Sequence, residues 1–214
     1  MHLYVATTNP GKLRDFAHAA RAFPGVNILP LPGLDTLPAP DETADTFEGN
    51  ALIKAFAYSP LAPGEIVVAD DSGIVVRGLN GAPGVRSARY AEDEGYLAPG
   101  LNQDQRNTAC LLDRASVLRY RDVSYECALV AVRSGELLTS GYGELEGRLM
   151  LEPHGTGGFG YDPIFEVPEH GKTMAEIDPD TRLVISHRGR ALVHLLQRLT
   201  AKFDGSSNIA QRNR

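Results

Sequence analysis

Tryptophan is absent, and cysteine occurs only at Cys110 and Cys127 among 214 residues. Each cysteine stands alone in an apolar stretch, without C-x-x-C or mixed Cys/His spacing, so neither a disulfide framework nor a thiolate metal centre is encoded. They read as buried free thiols. Long apolar runs are also missing: the longest, 127–132, holds six residues, against the ~18 to 20 that a membrane-spanning helix requires. Met1-His2-Leu3-Tyr4-Val5-Ala6 lacks a charged segment followed by an extended apolar one, which reads as no secretory signal and a cytoplasmic protein. No excess of basic charge exists either, since 21 Lys+Arg against 27 Asp+Glu leave a net charge of −6. Without a basic block to neutralise a phosphate backbone, a nucleic acid polymer is excluded as the expected partner. What is present is 43 % hydrophobic and 22 % charged residues without like-sign runs, repeats or low-complexity tracts. That composition builds one globular domain with a sizeable core.

The periodicity predicts a strand over 3–7, a helix after Pro10, a strand over 26–29, and a proline-rich loop (Pro30, Pro32, Pro38, Pro40) to residue 45. A helix over 46–58 follows, stopped by Pro60 and Pro63. The run 65–69 predicts a strand ending abruptly at Asp70-Asp71-Ser72-Gly73, which places that polar quartet at a strand edge or turn, with strand composition resuming at 74–76. A helix is expected over 102–119, burying Ala109, Leu112 and Val117. Strands at 123–133 and 137–149, joined through Ser134-Gly135-Glu136, make a hairpin. The glycine-rich segment 155–163 is a loop, and a final helix buries Ala191, Leu192, Leu195, Leu196, Leu199 and Phe203, with Ser186 at its start. Residues 1–204 read as a single domain and 205–214 as a disordered tail. Strands alternating with helices early and a hairpin later fit an α/β fold, a central mixed sheet flanked by helices.

Four segments carry chemistry. Thr7, Thr8, Asn9, Pro10, Gly11 and Lys12 lie between a strand and a helix N-terminus, a setting for phosphate; plain capping by Asn9 with Pro at the first helical position accounts for the same residues. Asp70 and Asp71, with Glu42 and Glu48 in earlier segments, form an acidic set suited to Mg2+, or a polar Asp-Ser-Gly turn. Thr156-Gly157-Gly158-Phe159-Gly160-Tyr161-Asp162-Pro163 combines close backbone approach with two aromatics, either to stack on a purine or to make a tight turn against the core. Ser186-His187-Arg188-Gly189 sets two cations at a helix start, where they oppose the macrodipole and call for an acceptor. His187 and His194 are seven apart, but no further ligand completes a metal site.

In this order the segments resemble the inosine triphosphate pyrophosphatase family across nearly the whole chain. The resemblance rests on 7–12, on Thr46-Phe47 with Asn50-Ala51 and Lys54-Ala55, and on 69–90 with Leu79-Asn80-Gly81-Ala82-Pro83-Gly84 and Ser87-Ala88-Arg89-Tyr90. The stretches 157–165 and 185–192 complete it. It implies two lobes with a nucleotide cleft between them, a homodimer, and dependence on Mg2+ with Mn2+ as a substitute. It also implies hydrolysis of ITP, dITP and XTP to the monophosphate and pyrophosphate. By position, Thr7 to Lys12 and Lys54 would hold the triphosphate and Glu42 and Asp71 the metal, with Asp70 as an alternate carboxylate. Ser72 would contact substrate, Asp71 would be the catalytic base, and Phe159, Gly160, Tyr161, Asp162, His187 and Arg188 would surround the purine.

Two departures stand out: the family usually has Lys where this chain has Arg182, and Glu where it has Gly49. Arg182 keeps the charge with a different donor geometry, and Gly49 removes a carboxylate. Together they motivate a second reading, a non-catalytic purine nucleotide sensor. Discrimination would lie at the 6-position, where a carbonyl satisfies His187, Arg188 or Arg182, whereas the amino group of adenine leaves a buried donor unpaired at a cost of about 1 to 3 kcal/mol. Rejection of GTP needs a separate device at its 2-amino group, and the sequence assigns no residue to it.

Overall fold

The computed structural model describes the backbone of residues 1–212, with side chains through Phe203. A mixed seven-stranded sheet forms in the order β2-β1-β3-β4-β5-β6-β7. Its strands are β1 (His2–Val5), β2 (Asn27–Pro30), β3 (Ile66–Val76), β4 (Asp122–Arg133), β5 (Glu136–Leu149), β6 (Phe165–Val167) and β7 (Lys172–Thr173). The helices are α1 (Pro10–Ala20), α2 (Phe47–Tyr58), α3 (Tyr90–Asp93), α4 (Gln103–Ala115), α5 (Pro179–Ile185) and α6 (His187–Arg212). Strand β1 pairs parallel with β2 and β3, and β6 pairs antiparallel with β5 and β7. The β4 to β5 link is the tight turn Ser134-Gly135, both with positive φ, as a two-residue hairpin demands. The expected tail over 205–214 falls on residues whose side chains, and for 213 and 214 also the backbone, lie outside the described residues.

The chain divides into two compact units, one made of Met1–Asp71, Cys127–Gly143 and Arg188 onward, the other of Ser72–Glu126 and Glu144–His187. The first has two cores. Leu3, Val5, Phe16, Ile66, Val68, Cys127 and Leu129 pack with Leu192, Leu195, Leu196 and Leu199 of α6; Ala51, Ala55 and Tyr58 of α2 pack with Val67, Ala69, Val130 and Val132. Odd and even positions of β3 go to different cores, as period-two alternation requires. Gly141 lets α6 close on β5, since a Cβ there would stand 2.6 Å from the Leu195 nitrogen. The second unit buries Ile74, Leu111, Tyr125, Leu149, Tyr161, Ile164 and Phe165.

Three expectations change. The polar quartet is no turn: β3 runs unbroken from Ile66 to Val76 through Asp70 to Gly73, because Asp70 and Asp71 find cationic partners and need not turn to solvent. Helix α4 stops at Ala115 with Ser116 as its C-cap, so Val117 is 87 % exposed rather than buried. Its core face is Cys110, Leu111 and Ala115, leaving Ala109 and Leu112 half-buried. Helix α5 was not anticipated, although Asp178 as N-cap followed by Pro179 is a sequence-level start signal.

Cys110 and Cys127 are buried free thiols, and burial pushes both thiols upward, most strongly Cys127. A thiol-reactive dye is therefore expected to label neither in the native protein and both after unfolding; stoichiometric native labelling would contradict this packing.

Candidate active site

Two ion-paired groups form on β3. The Lys12 ammonium of α1 donates to Asp70 Oδ2 at 2.8 Å. The Lys54 ammonium of α2 lies between two carboxylates, 2.9 Å from Glu42 Oε1 and 3.0 Å from Asp71 Oδ1. Strand geometry explains the split. Asp70 shares parity with Ile66 and Val68, which pack with α1 and α6, while Asp71 shares parity with Val67 and Ala69, which pack with α2. Two adjacent aspartates on an extended strand point to opposite faces, and each meets its own lysine. Among the described residues no group of three or more His, Cys, Asp or Glu converges as a metal cluster. Glu48, exposed in the first turn of α2, joins neither group.

Asn50 binds the second group together. Its Nδ2 donates to Asp71 Oδ2 at 3.3 Å, and its Oδ1 accepts from the backbone nitrogen of Ala44 at 2.9 Å, tying the loop that carries Glu42 to the aspartate. Gly49 is matched to that loop: a Cβ would lie 2.6 Å from the Ala44 Cβ. A glutamate at this position would force the loop to move.

Burial acts most strongly on all three charged groups here. It pushes Asp71 upward, and Lys54 and Asn50 only partly offset it, so this carboxyl titrates above its ordinary value. In Asp70 burial is outweighed by Lys12, Lys54 and Arg188, which hold the carboxyl below the usual range. In Lys54 burial is likewise outweighed, by Asp71, Asp70 and Glu42, and the ammonium is held above its ordinary value.

At the start of α1, Asn9 Oδ1 accepts from the backbone nitrogens of Gly11 at 2.8 Å and Lys12 at 3.2 Å, and Thr7 Oγ1 accepts from Asn9 N. Pro10 has no N–H, so the capping account describes these groups. The segment exposes Thr8 and Pro10, while the Lys12 side chain is partly buried against Asp70. Arg188, in the first turn of α6, reaches Asp15 of α1 at 3.5 Å.

The second unit holds the other predicted residues. Asp162 Oδ2 accepts from Phe159 N at 3.0 Å, and Asp162 Oδ1 accepts from the Tyr125 hydroxyl at 3.0 Å. Gly160 N donates to Asp104 Oδ2, and Thr108 Oγ1 donates to Gly160 O, so α4 pins the loop. Tyr161 is a core ring whose hydroxyl donates to Ser87 O at 2.7 Å, whereas Phe159 is 40 % exposed. Arg182 lies against Gly157 and Gly158, and its Nη1 is buried with no hydrogen-bond partner among the described residues. His187 is buried with its ring 4.9 Å from that of Tyr125. Ser72, after Asp71, is half-buried.

Sequence reading missed Asn50, Tyr125, Asp104 and Thr108 as site-supporting residues. Asn50 offered a signal, a polar residue on the apolar face of α2; Tyr125 inside a β-prone run offered none.

The Ham1 family model matches residues 3–198. This chain belongs to the Ham1 family. Every residue of the two ion-paired groups and of the 159–188 set lies within the span that the Ham1 family model covers. A dITP/XTP pyrophosphatase of Acidobacterium capsulatum is 53 % identical over 199 residues, covering 92 % of this chain and 97 % of that one. The Ham1-family fold is equally clear in solved structures. A HAM1 protein from Coxiella burnetii aligns with a TM-score of 0.79 at 33 % identity, over 94 % of this chain and 99 % of its own. The Staphylococcus aureus Ham1 protein gives 0.76 at 32 %, over 95 % and 100 %.

Proposed function

We propose that this chain is a nucleoside-triphosphate pyrophosphatase that hydrolyses deaminated purine nucleoside triphosphates (dITP, XTP and ITP) to the monophosphate and pyrophosphate, clearing them from the cytoplasmic nucleotide pool. The observation that carries the reading is the Lys54 ammonium held between Glu42 and Asp71, in a chain so similar to a dITP/XTP pyrophosphatase. We further propose a homodimer as the working assembly.

Glu42 and Asp71 suit a divalent ion. Both are hard oxygen donors already directed at one cation, and Mg2+ takes one or two protein carboxylates and completes its shell with water and phosphate oxygens. Bound there, Mg2+, or Mn2+ in its place, would supply neutralisation of phosphate charge. Asp70, tied to Lys12, has the different role of fixing that ammonium. Lys12 and Lys54 bind the triphosphate and stabilise the negative charge that develops on the leaving pyrophosphate. Asp71 accepts a proton from the attacking water as its oxygen bonds to the α-phosphorus and the bond to the bridging oxygen breaks. Asp70, fully buried and committed to Lys12, is the poorer base on geometric grounds. Arg182 Nη1, a buried donor with no hydrogen-bond partner among the described residues, suits a keto oxygen of the base, and Phe159, 40 % exposed, can stack on it.

The test is a substrate panel with Mg2+ read by product identity. The expected products from dITP, XTP and ITP are monophosphate and pyrophosphate, at about 100-fold higher kcat/KM than from ATP or GTP, with loss of turnover on chelation. Release of inorganic phosphate in place of pyrophosphate would refute the reaction. Tight ITP binding without turnover at any Mg2+ or Mn2+ concentration would favour a sensor.

A further inference from the structure

The geometry points to Tyr125 as a positioning residue for base recognition, an assignment that rests on the function proposed above. Tyr125 lies on β4 inside the apolar core of the second unit. Its ring stacks on Phe165, with centroids 4.2 Å apart and planes 11° from parallel, and on His187 at 4.9 Å and 19°. Phenylalanine would make the same stack. The hydroxyl does something else: it donates to Asp162 Oδ1 at 3.0 Å while Phe159 N donates to Oδ2 at the same distance. A phenol in an apolar core is costly unless paired, and a carboxylate acceptor makes the pair charge-assisted.

With a donor on each oxygen, the carboxylate has its plane fixed. It sits against Gly158, at φ +74°, where a Cβ would overlap Asp162 Oδ2 and stand 2.8 Å from Arg182 Nη1. One side chain thus sets two groups at once, the acceptor Asp162 through its hydroxyl and the donor His187 through its ring. That pairing has a chemical counterpart. A 6-keto purine presents N1–H beside a carbonyl, a donor next to an acceptor, and adenine presents the reverse. The hydroxyl also occupies one side of Oδ1, so that oxygen has less capacity to accept from an added amino group such as the one guanine carries at C2.

Tyr125→Phe removes the hydroxyl and keeps the ring. The expected result is a KM for dITP raised about tenfold with kcat within about twofold of the parent, and a preference for dITP over dGTP reduced about tenfold. Affinity for inorganic tripolyphosphate, which has no base, should stay unchanged. In an Asp162→Ala background the same substitution should add nothing to base discrimination, because the hydroxyl acts on the base only through that carboxylate. An unaltered dITP to dGTP ratio, an equal loss of tripolyphosphate affinity, or full additivity with Asp162→Ala would overturn the assignment. A parent protein inactive on dITP and XTP would strike the proposed function instead, which separates the two failures.

Discussion

Asp71→Asn is expected to lower kcat for dITP by about a thousandfold, the scale on which a positioned proton acceptor contributes, with little change in thermal stability. The two halves of this expectation come from the same surroundings. Asp71 is 7 % exposed, and its oxygens accept from Lys54 and Asn50. An asparagine fits the same volume, and its single oxygen can accept one of those donors, so packing is preserved. Burial already disfavours the charged carboxyl strongly enough to push it above its ordinary value, so removing the charge relieves a cost as well as losing an attraction to Lys54. Chemistry is not so forgiving, because an amide neither accepts the proton of an attacking water nor offers the charge that draws a divalent ion. Steady-state kinetics beside a melting curve check both halves. Near-parental kcat in a folded variant would remove Asp71 from the mechanism.

The fold was largely legible because its strongest signals are local. The helices α1 and α2 are announced by Asn9-Pro10 and by Thr46 as N-caps, and Ser134-Gly135 announces the hairpin. Where reading failed, a tertiary partner had overruled a local rule. Asp70-Asp71-Ser72-Gly73 has turn chemistry, yet it stays in β3 because Lys12 and Lys54, 58 and 17 residues away, receive the two carboxylates. Separation of the pair onto opposite faces could have been read from strand parity, had the strand been recognised as continuous. Of the candidate site, Lys12, Lys54, Glu42 and both aspartates are legible in the sequence, but their grouping is not. Glu42, Asp70 and Asp71, which read as one carboxylate set for a metal, divide between two ion-paired groups. Tyr161 and Phe159 looked equivalent in a glycine-rich loop, and only packing distinguishes the core ring from the exposed one. Asp104, Thr108 and Tyr125 position that loop from elements 30 to 60 residues away, and no local pattern marks them.

Lys12→Met should be the most damaging single change to the fold and to substrate affinity together. Its Nζ is 2.8 Å from Asp70, whose side chain is only 2 % exposed. Removing one partner of a buried pair leaves the other charge uncompensated, at a cost of about 3 kcal/mol. Lys54 and Arg188 still act on Asp70, which keeps the loss from growing further. The pH dependence identifies the cause. In the parent protein Asp70 is held below its ordinary value. Its ionised form therefore contributes stability that is fully present above the unfolded carboxyl value of about 3.9, and that stability is lost as pH falls through the depressed folded value. Without Lys12 the upward push of burial is opposed by Lys54 and Arg188 with their strongest ally gone, so the carboxyl moves up from its depressed value. The stability that its ionised form contributes at neutral pH shrinks by the same rise. Urea midpoints should therefore show a wide gap between parent and variant near pH 7 that narrows as pH falls through the carboxyl range and Asp70 takes up its proton in both proteins. A gap independent of pH would mean that Lys12 stabilises through its methylenes and not through Asp70.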